Sequence, residues 1–156
     1  MDASKVQQAL INSTIVHEDL DNSAKRTVAI GIDGSEHSQL ALEWTFKNIL
    51  KPDSDLVVLM NVRPCASDAV LVISFGTGYM DNMDSAYVGH LEAEEKSRSE
   101  GILKKAVSFL KSCNPKIAIK AFALTGDPRE ELILKADQVH ADIIVVGSRG
   151  MGAIKR

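Results

Sequence analysis

Apolar positions in this chain fall into two patterns, short unbroken runs and stripes spaced three or four apart. Thr27-Val28-Ala29-Ile30-Gly31-Ile32 is nearly continuous and uncharged, as expected of a strand covered on both faces. Leu42, Phe46, Ile49 and Leu50 then recur at helical spacing until Pro52 stops the helix. Leu56-Val57-Val58-Leu59-Met60-Asn61-Val62 is a second β-branched, apolar run and predicts a second strand. A long helix is predicted from about Ala86 to Ser112, with a charged middle, Glu92 to Glu100, that reads as a solvent face. Its apolar stripe is Ile102, Leu103, Ala106, Val107 and Leu110. Ile117 to Leu124 mixes alternation with polar interruption and predicts a third strand near a sheet edge.

Gly126-Asp127-Pro128-Arg129-Glu130 reads as a helix start. Asp127 can cap, Pro128 suits the first helical position, and Glu130 can reach back as in a capping box. Leu132, Ala136 and Val139 line the inner face of that helix, and Ile143-Ile144-Val145-Val146 predicts a fourth strand. Residues 64 to 85 carry Pro64, Gly76, Gly78, Asp81, Asn82 and Asp84 around an apolar patch, Ala69 to Ile73. They read equally as a long surface loop or a short extra helix. Residues 1 to 24 form a polar leader expected to be flexible, and residues 25 to 156 form one domain.

Strand and helix alternate, which predicts an α/β fold: an open parallel sheet with helices on both faces. Ligands of such sheets bind at the carboxyl ends of the strands, where strand order reverses. Two loops there join glycine to small hydroxyl residues, Gly31 to Ser38 after the first strand and Gly147 to Gly152 after the fourth. Glycine lets backbone N–H groups approach a ligand, so a glycine-rich turn opening a helix can cradle phosphate oxygens, with Arg149 adding charge. The same glycines also suit plain tight turns. Ser35 and Ser38 are each open to helix capping or ligand contact.

Charge narrows the partners. A formal net charge of -3 gives no general attraction for a nucleic-acid backbone, and no run of about 20 apolar residues suggests a membrane span. Two distant cysteines, Cys65 and Cys113, suit a reducing compartment, and a leader holding Asp2, Glu18, Asp19 and Asp21 lacks the features of a secretion signal. A cytoplasmic location is expected. His17, His37, His90 and His140 stand singly, without metal-site spacing. Neither GxGxxG nor GxxxxGK[ST] occurs, which disfavours a dinucleotide enzyme or a Walker-type hydrolase. No catalytic residue is assigned, and no metal ligand from protein side chains.

Three ordered segments resemble the signatures of the universal stress protein family: Val28 to Ser38, Gly126-Asp127-Pro128, and Asp142 to Gly150. The resemblance implies a nucleotide α-hydrolase-like sheet of order 3-2-1-4, with the family's fifth strand missing from this chain. It implies a regulatory, ATP-binding protein of the stress response, with Mg²⁺ as an optional companion of the phosphates. By resemblance Asp33 contacts the nucleoside and Val62 contacts adenine through its backbone, although a turn carboxylate and plain packing remain alternative roles for these two. Gly147 and Gly150 match the first part of the family's phosphate motif, G-x2-G-x9-G. Its second part would fall four residues past Arg156, so the natural protein is expected either to continue or to cover the fourth strand's edge with another chain. The nucleotide-binding set is thus Ile32, Asp33, Gly34, Ser35, Val62, Gly147, Ser148, Arg149 and Gly150. Weak ATP hydrolysis or self-phosphorylation, and a homodimer through the exposed sheet edge, follow from the resemblance only. A nucleotide-independent interaction protein is the main alternative. An adenylating or hydrolysing relative is disfavoured, because Asp33-Gly34-Ser35-Glu36-His37-Ser38 stands where an SGGxDS-like loop would be.

Overall fold

The computed structural model describes residues 13–19, 26–65 and 85–148. Its elements, in chain order, are β1 (Ser13–Glu18), β2 (Arg26–Gly31), α1 (Glu36–Asn48), β3 (Asp55–Arg63), α2 (Ser85–Cys113), β4 (Ala118–Thr125), α3 (Pro128–Gln138) and β5 (Ile143–Val146). Among the described residues they make one five-stranded sheet of order β1-β4-β3-β2-β5. The four strands expected from the sequence hold the order 3-2-1-4 and run parallel.

One strand was not expected. Residues 13–18, inside the leader read as flexible, pair antiparallel with β4 from Ser13↔Leu124 to Glu18↔Lys120. β4 is therefore an interior strand and not a peripheral one. The physical cause is a set of anchors. Asp19 accepts from Lys111 Nζ at 2.7 Å and from the Ile119 N–H at 2.9 Å, and Glu18 pairs with Lys120 at 2.8 Å. At the other end Lys135 Nζ donates to Ser13 Oγ at 3.2 Å while lying 4.6 Å from the centre of the Phe122 ring.

The strands alternate their side chains between two layers, as the two-residue repeat requires. Val28, Ile30, Val57, Leu59, Ile119 and Ala121 face α1 and α2, burying Leu42, Leu103, Ala106 and Leu110. Ala29, Val58, Met60, Phe122 and Leu124 face α3 through Ala136, Leu132 and Val139. Ser35 caps α1 by accepting from the Ser38 N–H at 3.2 Å, and Asp127 caps α3 by accepting from the Arg129 N–H at 2.8 Å. At this second cap Arg129, rather than Glu130, closes back, its Nη2 lying 2.8 Å from Asp127 Oδ2. That guanidinium holds the Asp127 carboxyl down at about 2.

The amino ends of β2 and β3 are tied by an ion pair. Arg26 Nη2 meets Asp55 Oδ2 at 2.5 Å and also donates to the Ile49 carbonyl at 2.8 Å, while the Lys51 N–H donates to Asp55 at 2.7 Å. The Asp55 side chain is 1% exposed. Burial alone would raise its pKa, but the hydrogen bonds from Arg26 and Lys51 outweigh this and hold it below the ordinary value. Arg26→Ala would leave Asp55 buried with only a main-chain donor. A loss of about 2–3 kcal/mol is expected in urea unfolding at pH 7, below the usual cost of breaking a buried pair because Arg26 is partly exposed. A carboxylate with a depressed folded pKa contributes its full stabilisation above the unfolded value, about 3.9, and loses it as pH falls through the folded value. The variant's deficit should therefore shrink in acid below that point.

Candidate functional site

Parallel register sets the site. Gly31 aligns with Met60 on one side and with Val146 on the other, so the turns after β2 and β5 leave the sheet at the same end, where strand order reverses. Ile32 is 5% exposed and its N–H donates to the Met60 carbonyl at 2.8 Å. Beyond it the Asp33 carboxylate accepts from the Ser35 N–H at 3.0 Å, an Asx turn. Buried Ser38 stitches this turn, accepting from the Asp33 N–H at 3.3 Å and donating to the Ser35 carbonyl at 3.0 Å. Gly34 has φ +80°, in the left-handed region, and a Cβ there would sit 3.1 Å from Ile102 Cδ1, so glycine serves both conformation and space. The turn role weighed for Asp33 and the capping role weighed for Ser35 are present in the structure, whereas Ser38 lies inside the helix and braces the turn instead of capping it.

The ladder between β2 and β3 ends abruptly. Met60 points its carbonyl toward β2, and Arg63 points its carbonyl toward β4, where it accepts from the Gly126 N–H at 3.0 Å. Alternation therefore turns the main-chain groups of Val62 toward the Asp33 turn. The next rung would be Val62 N–H to Ile32 O. Instead Ile32 O accepts from Asn61 Nδ2 at 2.6 Å.

Asp33 and Val62 then share one cavity of about 220 Å³ with Asn61, Arg63 and Pro64. Its other wall is α2, through Glu95, Arg98, Ser99 and Ile102. A neighbouring depression of about 330 Å³ continues past Asp33 and Gly34 to Gly101 and Lys105. Ser99 is 2% exposed, and among the described residues its Oγ has no hydrogen-bond partner. The hydroxyls of Thr45 and Ser112, by contrast, turn back to helix carbonyls, each at 2.7 Å.

Gly147 packs on the start of α1, where a Cβ would lie 3.1 Å from the His37 carbonyl group and the Ser38 nitrogen. With Ser148 it lines a separate depression beside His37, Leu40 and Trp44. The two expected loops are thus adjacent and meet in the depression at His37, but among the described residues Asp33 and Gly34 border other hollows than Gly147 and Ser148 do. Arg149 and Gly150 lie outside the described residues, as does most of the 64–85 segment. Among the described residues no three His, Cys, Asp or Glu side chains gather as a metal site, and no helix is long and apolar enough to cross a membrane.

The α2 wall, with Asn61 and Arg63, was not foreseen. Ser99 sits in the charged run read as solvent face, yet it lies three and four residues before Ile102 and Leu103 and extends their stripe by one turn. That spacing was the available signal.

The family described as "Universal stress protein family" matches residues 25–156. A universal stress protein A-like protein of Arabidopsis thaliana is 26% identical over 122 residues, which cover 74% of this chain and 63% of that protein. Universal stress protein PHOS32 of the same plant is 24% identical over 141 residues, 85% of this chain and 54% of its own length. This chain therefore spans under two thirds of either relative. Universal stress protein UspA from Lactobacillus plantarum superposes with a TM-score of 0.64 at 15% identity, covering 86% of this chain and 85% of its own, a likeness of fold.

The contact between Gly147 and α1 is with main chain, which cannot turn aside. Gly147→Ala should therefore cost about 1–3 kcal/mol, the range for overpacking, read as a lower Tm.

Proposed function

The chain belongs to the universal stress protein family, and from that premise we propose that it is an adenine-nucleotide-binding regulatory protein of the stress response. One observation carries the reading: Asp33 and Val62 border the same cavity at the reversal of strand order, where open α/β sheets take their ligands. In this reading the Asp33 carboxylate receives the nucleoside and the Val62 main chain meets the adenine edge. Gly34 keeps the turn low beneath the ligand. The phosphates run toward Gly147 and Ser148, with Arg149 and Gly150 completing the set. Mg²⁺ would arrive with the phosphates.

Two features of the cavity support a polar, partly charged ligand. Arg63, Arg98 and Lys105 border it or the adjoining depression alongside Asp33 and Glu95, with Arg98 3.8 Å from Glu95, a lining of mixed charge that suits a polar ligand. The Ser99 hydroxyl can find in a ligand the partner it lacks in the protein. Catalysis is no part of the proposal.

A second reading, an interaction protein that needs no nucleotide, has its own observation. Leu40, Trp44, Ile144 and Val146 are 54%, 58%, 47% and 56% exposed, around and beyond α1 and the terminal strand β5. A homodimer would use this side. Sedimentation of the chain with and without ATP would report such a dimer.

Calorimetric titration with ATP and Mg²⁺ decides between the two. Saturable binding is expected, and Asp33→Asn, which keeps a turn acceptor but removes the charge, should weaken it about tenfold, or about 1.4 kcal/mol, with little change in Tm. Neither heat nor thermal stabilisation at saturating ligand would refute the nucleotide reading and leave the interaction protein.

A further inference from the structure

We propose that Asn61 is a positioning residue, whose side-chain amide ends the β2–β3 ladder one rung early and so holds the Val62 N–H available to a ligand's hydrogen-bond acceptor. The inference deepens the nucleotide reading and rests on it.

The argument is one of substitution. In a parallel ladder the same side of a strand bonds at every second residue. On β3 that side carries Met60, whose carbonyl accepts from the Ile32 N–H at 2.8 Å. Val62 comes next on it. Its natural acceptor, Ile32 O, is instead occupied by Asn61 Nδ2 at 2.6 Å. Asn61 is 4% exposed, so this is a buried, committed bond and not a chance surface contact. The β2–β3 register stops at Gly31↔Met60, and among the described residues no bond from Val62 N–H to Ile32 O is present.

An aliphatic side chain at position 61 would let the strands zip one residue further. Val62 N–H would then reach Ile32 O, and the cavity would lose a donor. Asn61 thus satisfies the carbonyl that the ladder would have used, while the N–H it displaces faces the hollow bordered by Asp33 and Ser99. An unpaired backbone donor next to a cavity is uncommon in folded chains, since nearly all buried main-chain groups are satisfied. A ring nitrogen of a purine base, an acceptor held flat against the strand end, is the partner this donor fits.

Amide hydrogen exchange on the full chain, followed residue by residue, tests the arrangement without any variant. In the free protein Val62 should exchange at least about tenfold faster than Met60, whose neighbours are fully laddered, and adding adenosine should slow it. In Asn61→Ala the Val62 amide should be slow before any ligand is added, and adenosine affinity should fall about tenfold, equal to about 1.4 kcal/mol. Equal protection of Val62 and Met60 in the free wild type would overturn the proposal. So would an Asn61→Ala chain whose Val62 amide and adenosine affinity are both unchanged. If Val62 is fast, slows in Asn61→Ala, and yet adenosine, ADP and ATP all fail to bind the wild type, the nucleotide reading falls and the positioning role with it. The exchange rates tell that failure apart from the first two.

Discussion

The length over which β2 stays paired is the constraint on which the rest of this structure depends. β2 is flanked on both sides, by β3 and by β5, so it has no freedom to shift register without moving its neighbours. Its pairing with both ends at Gly31, opposite Met60 and Val146. The candidate site begins one residue later. Ile32 is pinned through its N–H to β3 and through its carbonyl to Asn61, and this fixes where the chain turns. The Asx turn at Asp33, the cap at Ser35 and the stitching by Ser38 follow within six residues, each satisfying a backbone donor that the end of a strand or the start of a helix leaves open. Gly147 then lies close against the first turn of α1 because that turn cannot be elsewhere.

The two ends of the sheet use their polar groups differently. At the amino ends the donors and acceptors are matched: Arg26 with Asp55, Lys51 N–H with Asp55, and Thr27 N–H with Asp142 at 2.7 Å. These bonds close the bottom of the sheet and fix strand order. At the carboxyl ends the matching stops, leaving, among the described residues, the Ser99 hydroxyl without a partner and Val62 N–H without a ladder bond to β2. A fold selected for stability alone would not keep both deficits within one cavity, whereas a fold that receives a ligand there has a use for them.

Much of this was legible in the sequence, and the failures have specific causes. The runs at Val28–Ile32 and Leu56–Val62 are buried on both faces or nearly so, and an uninterrupted apolar run reports that directly; Ile143–Val146 gives the same signal, although Ile144 and Val146 are exposed on one face. Asp33 and Val62, named from the family resemblance, border one cavity. β1 was missed because Thr14, Ile15 and Val16, a β-branched trio, sit among charges that read as a leader. Those charges turn out to be the strand's anchors, since Glu18 and Asp19 pair with Lys120 and Lys111, distant in sequence. No local pattern reports a partner a hundred residues away. Asn61 was hidden for a similar reason: within an apolar run it reads as an interruption, and its purpose appears only when its amide is seen to occupy the carbonyl of Ile32.

The cavity itself follows from unequal strand lengths. β3 and β4 continue in register to Arg63 and Thr125, while β2 and β5 have stopped at Gly31 and Val146. β3 therefore runs three residues past its last partner on β2, a step of roughly 10 Å at about 3.3 Å per residue. A step of that depth would be an exposed half-strand if nothing stood beside it. α2 supplies the missing side. Its carboxyl-terminal half is anchored in the core by Leu103, Ala106 and Leu110, and at 29 residues it is long enough, roughly 44 Å, to carry Ser99 and Arg98 beside the step and its charged first half onward into solvent. The charge run suits that overhang, since most of Glu92 to Glu100 is exposed or half-buried and charged side chains tolerate solvent. Strand lengths make the ledge, and the helix, through Glu95, Arg98 and Ser99, makes the wall.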